Sequence, residues 1–401
     1  MKRVGGKELP RTASFLMLAV LLGLFLFAAS APSPLYGIYA KLWHFTPTTV
    51  TSIYAVYAAG ALGALLITGR LSDHVGRRPI VLLALLIQIG GMFAFITARG
   101  IGSLYLARVL QGTATGIASG AISAWLVDLE PPNRARLGSL LTGVALLAGL
   151  GSGAFISSLL VQYAPDPLRL VFWLLVFVYA AGFVATLLMP DPVQRVSGAV
   201  GSLRPQVGVP AIARQQFFAT SPSLIAIWAL AGLYLSLGPA LALALVGSEN
   251  RVVGGAVILA LTGSGAITSV IIRAVEPRAL ILRSSLIVIA GVGATLISVA
   301  YNAAFGLYAG SIVAGVGLGA AFSGIVRSLG PLAPPDKRGA LFGAVYIAVY
   351  VAISVPTIAA GVASSHIGLR DTTFAYGAVV IALAAATLVA ILRRSTANPM
   401  P

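Results

Sequence analysis

The chain has 401 residues, 58% of them hydrophobic and 9% charged, with a mean hydropathy of +0.98. A soluble domain carries roughly 25% charged residues, so a water-covered surface is excluded and an integral membrane protein is indicated. The net charge of +16, from 26 Lys and Arg against 10 Asp and Glu, would suggest nucleic acid in a soluble protein. In a membrane protein it reads as basic cytoplasmic loops, and nucleic acid drops out. The absence of cysteine removes disulfides, thiolate nucleophiles and cysteine metal sites.

A helical span needs about 20 apolar residues to cross the hydrocarbon core. Uncharged runs predict twelve of them, near 14–36, 49–69, 79–98, 102–127, 138–162, 170–189, 223–246, 252–272, 284–300, 304–326, 339–362 and 372–392. No period-2 alternation is sustained, which argues against a β-barrel. The expected fold is all-α.

The first span follows Lys2, Arg3, Lys7 and Arg11 and contains Ala28-Ala29-Ser30-Ala31, a stretch similar to a signal-peptide cleavage site. Its length and the need for a partner span favour a retained helix. Pro32-Ser33-Pro34 predicts a helix break, tolerated at membrane depth where it faces protein or a cavity, and puts Ser33 and Tyr36 forward as cavity residues. Tyr57 in span two and Gln88 in span three are further polar candidates, each also readable as a packed side chain. Trp43 and Trp125 read as interfacial anchors.

Between spans two and three stand Gly69, Asp73, Gly76, Arg77 and Arg78. On composition alone they are basic loop residues with an acid capping a turn. In span four, Arg108 lies about 9 Å below the span end at 1.5 Å per residue. Gln111 and Thr115 share its helix face. An intramembrane Arg is a functional candidate, with snorkelling to the interface as the alternative. Gly112, Gly116 and Gly120 form a ridge suited to close helix packing. Span five is rich in glycine at Gly143, Gly149, Gly151 and Gly153.

The longest polar break, 190–222, predicts a cytoplasmic linker between a bundle at 1–189 and a second at 223–401. A shift of 203 residues brings Gly112 onto Gly315, Gly116 onto Gly319, Asp73 onto Glu276, Pro131-Pro132 with Arg134 onto Pro334-Pro335 with Lys337, and Ser33 onto Ser236 ahead of Gly238-Pro239. Such a constant offset indicates a duplicated half. Tyr346 and Tyr350 in span eleven complete the cavity candidates. With a cytoplasmic N-terminus, 20 basic residues fall inside and 5 outside, so both termini are expected in the cytoplasm.

The loop of Gly69, Asp73, Gly76, Arg77 and Arg78, with the Arg108–Gln111–Gly112 stretch, resembles two motifs of the major facilitator superfamily, and with the duplication the resemblance covers the whole chain. It implies two pseudo-symmetric six-helix bundles that handle a small molecule near the midplane by alternating access. It also implies a charged latch of Asp73, Arg77 and an acid at the end of span four, for which Asp128 is the match. Antiporters of the superfamily carry a Gly-Pro motif in span five, and here the Pro is missing.

No Asp or Glu falls at mid-span, the three histidines are placed in loops, and no phosphate-binding loop is present. ATP is therefore not expected as the energy source, and neither an enzyme nor a cofactor is expected. A proton would have to use Asp128 or a substrate carboxylate paired with Arg108. The expectation is a monomeric cell (inner) membrane transporter for proton-driven efflux of hydrophobic or amphiphilic compounds. The alternative is an importer, facilitator or exchanger of a polar or anionic metabolite.

Overall fold

In lipid every backbone N–H and C=O must be bonded within its own segment, so long apolar runs fold as helices. The computed structural model describes residues 8–133, 137–193, 196–334 and 337–397. α1 runs Arg11–Ser30, turns through Ser33–Leu35 and resumes at Tyr36–Trp43, so the break at the two prolines is present. It is followed by α2 (Pro47–Thr68), α3 (Arg77–Ile96), α4 (Ile101–Asp128), α5 (Leu137–Tyr163) and α6 (Leu170–Leu187). The second half holds α7 (Ala211–Ser236, continued by Gly238–Val246), α8 (Arg251–Ile271), α9 (Pro277–Tyr301) and α10 (Ala304–Leu329). α11 (338–367) and α12 (369–397) are parted by Gly368 alone, whose φ of 82° is a left-handed conformation that glycine adopts without a Cβ clash.

Helix ends carry their own signals. Thr46 accepts a hydrogen bond from the Thr49 N–H ahead of Pro47, and Asn250 accepts from the Val252 N–H. The largest differences from the expectation are three. α7 begins at Ala211 rather than 223, α9 at Pro277 rather than 284, and the first helix runs on to Trp43 rather than 36. The polar residues at the start of α7 are helical, and their hydroxyls fold back on the preceding turn (Thr220 to Gln216 O at 3.0 Å, Ser221 to Phe217 O at 2.7 Å). A polarity break therefore marked where lipid contact stops, not where the helix stops. His366, expected in a loop, lies on the last turn of α11 with its ring nitrogen 2.9 Å from Val362 O.

The two halves repeat one packing scheme. α4 lies against α1, α2, α3 and α5, as α10 lies against α7, α8 and α9, and α3 meets α6. Tyr179 on α6 donates to Leu24 O on α1 at 2.8 Å, and Tyr376 on α12 donates to Ala229 O on α7 at 2.7 Å. The glycine ridges explain the closest approach. A Cβ on Gly112 or Gly116 would strike the backbone of Tyr57 or Ala61 on α2, and one on Gly315 or Gly319 the backbone of Leu261 or Gly265 on α8. Small residues let these backbones touch where lipid provides no hydrophobic drive. Gly149 and Gly153 pack α5 against α1 in the same way.

Between halves, the main contacts are two equivalent pairs, α5 with α8 and the 338–397 run with α2. At the face opposite the N-terminus this seam is polar. Gln162 accepts from the Arg251 N–H at 2.9 Å, and Thr48 and Ser365 share a hydrogen bond at 3.3 Å.

Candidate functional site

The span-four polar stripe folds into a closed cage. Arg108 is fully buried, with 0% of its surface exposed. Its Nε donates to Tyr36 Oη at 2.5 Å, and its Nη1 donates to Ala29 O at 2.8 Å and Gln111 Oε1 at 2.5 Å. Gln111 donates in turn to Ala28 O at 2.7 Å, and Thr115 to Gln111 O at 2.8 Å. These carbonyls belong to the stretch that resembled a cleavage site, so that segment is the acceptor shelf of the cage. The break at Ser33–Leu35 supplies the rest, because it turns Tyr36 back towards α4.

Four aromatic rings surround the guanidinium, at 4.9 Å (Tyr54), 5.3 Å (Tyr57), 5.4 Å (Tyr36) and 5.9 Å (Phe95) from Cζ to ring centroid. Such rings stabilise a cation by about 0.5–2 kcal/mol each. Ser33 is hydrogen-bonded to Tyr54. Among the described residues no carboxylate pairs with Arg108, and its Nη2 has no partner. Snorkelling is therefore overturned, since the charge points inward to protein and not outward to water. An unpaired buried donor is costly, and Tyr54, whose ring centroid lies 4.9 Å from Cζ, also interacts electrostatically with the guanidinium.

The other cavity candidates divide. Tyr57 faces Arg108 from α2, and Tyr350 on α11 lies within electrostatic reach of both Tyr57 and Tyr346, which brings the two halves together here. Ser236 does not take part. Its hydroxyl donates to Gly232 O at 2.8 Å on its own helix. Gln88 is a packing group that donates to Tyr179 Oη at 3.3 Å. At the 203-residue offset Arg108 falls on Ser311, which donates to Tyr234 Oη at 3.0 Å, with Thr295 alongside at 3.2 Å. The second half thus holds a neutral hydroxyl cluster where the first holds a charge. Tyr54 and Phe95 escaped the sequence reading, because an aromatic in an apolar span gives no sign of which way it faces.

The charged cluster lies at the N-terminal face. Arg77, mostly buried, bonds Asp128 Oδ2 through Nε at 2.9 Å and Ser72 Oγ through Nη1 at 2.7 Å, and pairs with Asp73. Gly76 has φ 104°, which reverses the chain before α3. A Cβ there would strike Asp191, whose carboxylate accepts from the N–H groups of Arg77 (3.3 Å) and Arg78 (3.1 Å). Asp191, from the linker, thus satisfies the first N–H groups of α3 in place of a side chain at the N-cap Gly76, an assignment that required knowing where the linker docks. Arg78 bonds Met189 O and stands 3.9 Å from Glu8. Arg11 donates to Asp128 O at 2.5 Å, closing the end of α4.

Trp125 is not an interfacial anchor. It is fully buried and donates to Pro190 O at 3.1 Å. Trp43 is stacked on Tyr39 at 4.8 Å. In the second half Glu276 caps α9 by accepting from Arg278 and Ala279 N–H at 2.8 Å each. The offset equated Asp73 with Glu276, but the two acids do different work. Lys2, Arg3, Lys7, Arg134, Arg136, Arg195 and Pro335 lie outside the described residues.

The sequence profile described as Major Facilitator Superfamily matches residues 16–355. A 126-residue stretch is 36% identical to the multidrug resistance protein MdtH of Cronobacter sakazakii (strain ATCC BAA-894). That stretch is 31% of this chain and spans 30% of that relative. The fold is similar to the crystal structure of the human organic anion transporter MFSD10 (TETRAN), with a TM-score of 0.65, 17% identity, and coverage of 95% of this chain and 100% of the other.

Proposed function

The chain belongs to the Major Facilitator Superfamily, a family of small-molecule membrane transporters, and we propose that it exports hydrophobic or amphiphilic compounds, driven by protons, by rocking its two halves. The observation that carries this reading is the aromatic cage at the meeting of the halves. Tyr54 and Tyr57 turn ring faces to Arg108, Tyr350 of the second half lies within electrostatic reach of Tyr57, and Arg108 supplies a directional donor among them. A site of that kind holds a largely apolar molecule and orients it through a single polar group. The partial likeness to a protein named for multidrug resistance supports the same direction of transport.

A second reading, entry or exchange of an anionic metabolite, is favoured by one observation: among the described residues Arg108 has no carboxylate partner, and its Nη2 makes no hydrogen bond. Proteoliposomes with an imposed pH gradient separate the two. Accumulation of an amphiphilic dye against its gradient, dependent on ΔpH, is expected from export. Gradient-independent flux that an organic anion saturates would overturn it in favour of exchange.

The site assignments follow from the same reading. Arg108, Gln111, Thr115, Ser33, Tyr36, Tyr57, Tyr346 and Tyr350 border the substrate or proton path, and the protein acts as a monomer in the cell membrane. The N-terminal face, with Arg11, Arg70, Arg77 and Arg78, is the cytoplasmic one on the excess of basic residues there. Asp73, Arg77 and Asp128, with Gly69, Gly76 and Arg78, form the latch. Among the described residues the side-chain partners of Arg77 all lie in the first half, so the latch would act by fixing the α2–α3 turn against α4. Asp128→Asn should slow turnover severalfold with unchanged substrate affinity. Asp73→Asn should do so less, because its carboxylate is half-exposed and such pairs contribute only about 0–1 kcal/mol. Normal turnover in both variants would remove the latch.

A further inference from the structure

The face opposite the N-terminus carries a pocket that shares only Phe95 with the cage around Arg108. Tyr39, Leu42 and Trp43 from the end of α1, Phe95, Ile96 and Ala98 from the end of α3, and Leu168 before α6 form its apolar wall, and Arg99 and Arg169 line it as well. Its volume is about 160 Å³, and it opens at the ends of the spans. Neither arginine takes part in any ion pair among the described residues. Two guanidinium groups around one opening repel each other unless an anion lies between them, and the Asp166 carboxylate, which acts on Tyr39 of the wall, forms an ion pair with neither among the described residues. The ring wall is flat, since Tyr39 and Trp43 stack with an interplanar angle of 1°.

We propose that this pocket binds the phosphate headgroup of an anionic phospholipid from the adjoining leaflet. The planar, five-donor guanidinium matches phosphate oxygens bidentately. Half-buried Trp43 and exposed Leu42, 55% of whose surface is accessible, sit beside that opening and suit the headgroup–acyl boundary where amphipathic rings concentrate. A lipid offers both parts of this chemistry at once, with acyl carbons for Leu42 and an anionic oxygen pair for the arginines. A free phosphate ion would use only the second part. Phe95 lines this pocket and also faces Arg108, so a lipid seated here would press on the back wall of the cage.

Native mass spectrometry of the purified full chain tests the assignment, with mixed micelles of phosphatidylglycerol and phosphatidylcholine of equal chain length. One phosphatidylglycerol is expected to be retained in preference to phosphatidylcholine. Arg99→Gln with Arg169→Gln should reduce that retention at least tenfold, whereas Lys41→Gln, which removes a charge from the same face outside the pocket, should leave it intact. Both arginines are exposed, and an unchanged thermal midpoint verifies that the double variant is folded. Equal retention in the double variant would overturn the proposal. So would an equal loss with Lys41→Gln, which would reveal a diffuse charge effect, or displacement of the lipid by millimolar inorganic phosphate, which would make the ligand the free ion.

Discussion

Replacing Arg108 by Met is expected to cripple transport while leaving the thermal midpoint within about 2 °C of the parent, a change of roughly 1–2 kcal/mol for a chain of this size. The two outcomes come from different physics. A buried cation without a counter-charge costs several kcal/mol of desolvation, which three donated hydrogen bonds and four rings offset. Met fills similar space and removes both the cost and the compensation. Tyr36, which now accepts from Arg108, can rotate its hydroxyl to donate to Ala29 O or Gln111. Transport has no such substitute, because among the described residues of the cage Nη2 is the buried donor left without a hydrogen bond. A loss of flux of about 100-fold, equivalent to about 2.8 kcal/mol, is expected. Arg108→Lys should fail nearly as badly, since an ammonium group cannot bond Tyr36, Ala29 and Gln111 in one plane and still present a free donor. If the Met variant instead unfolds, Arg108 is a structural bolt; if it transports normally, the cage is not the site.

Gly116→Leu is expected to leave no recoverable folded protein, and Gly116→Ala to lower stability by about 1–3 kcal/mol, the cost of overpacking a tight interface. A Cβ at Gly116 meets the Ala61 carbonyl and, at 3.0 Å, the Ala64 methyl. Backbone cannot yield as a side chain can. α2 cannot retreat either, because its other side is held by the second half, where Thr51 packs on Gly361 and Leu66 on Gly343. Gly143, with nothing within 4 Å of its Cβ position, is the control that should tolerate Leu. Monodisperse yield in detergent and the thermal midpoint measure both. Good recovery of Gly116→Leu would show that the ridge is not a close contact.

These two positions illustrate how legible the chain was. The Gly112–Gly116 ridge could be read from spacing alone because a small residue every four positions has one main use in lipid, and the helices it brings together follow from the repeat. Arg108 could be identified as unusual because a charge at that depth is expensive. Its surroundings could not. Tyr54, Phe95, Ala29 and Asp191 gave no signal in the sequence, because each acquires its role from a neighbour more than ten residues away along the chain.

By itself the sequence determined the number of spans, the break in α1, the ridge and the loop motif. Each of these depends on local composition: whether twenty residues can satisfy their backbone in hydrocarbon, whether a proline interrupts them, whether a side chain is small. Tertiary structure decided which way the helices face. In a soluble protein water labels the outer side of a helix with polar residues, but here lipid and core are equally apolar. The inward face of α2 or α3 therefore carries no periodic mark. Only assembly showed that Arg108 turns to α1 and not to the interface, that Trp125 is buried beneath the linker, and that Asp191 closes the helix its own segment never touches in sequence.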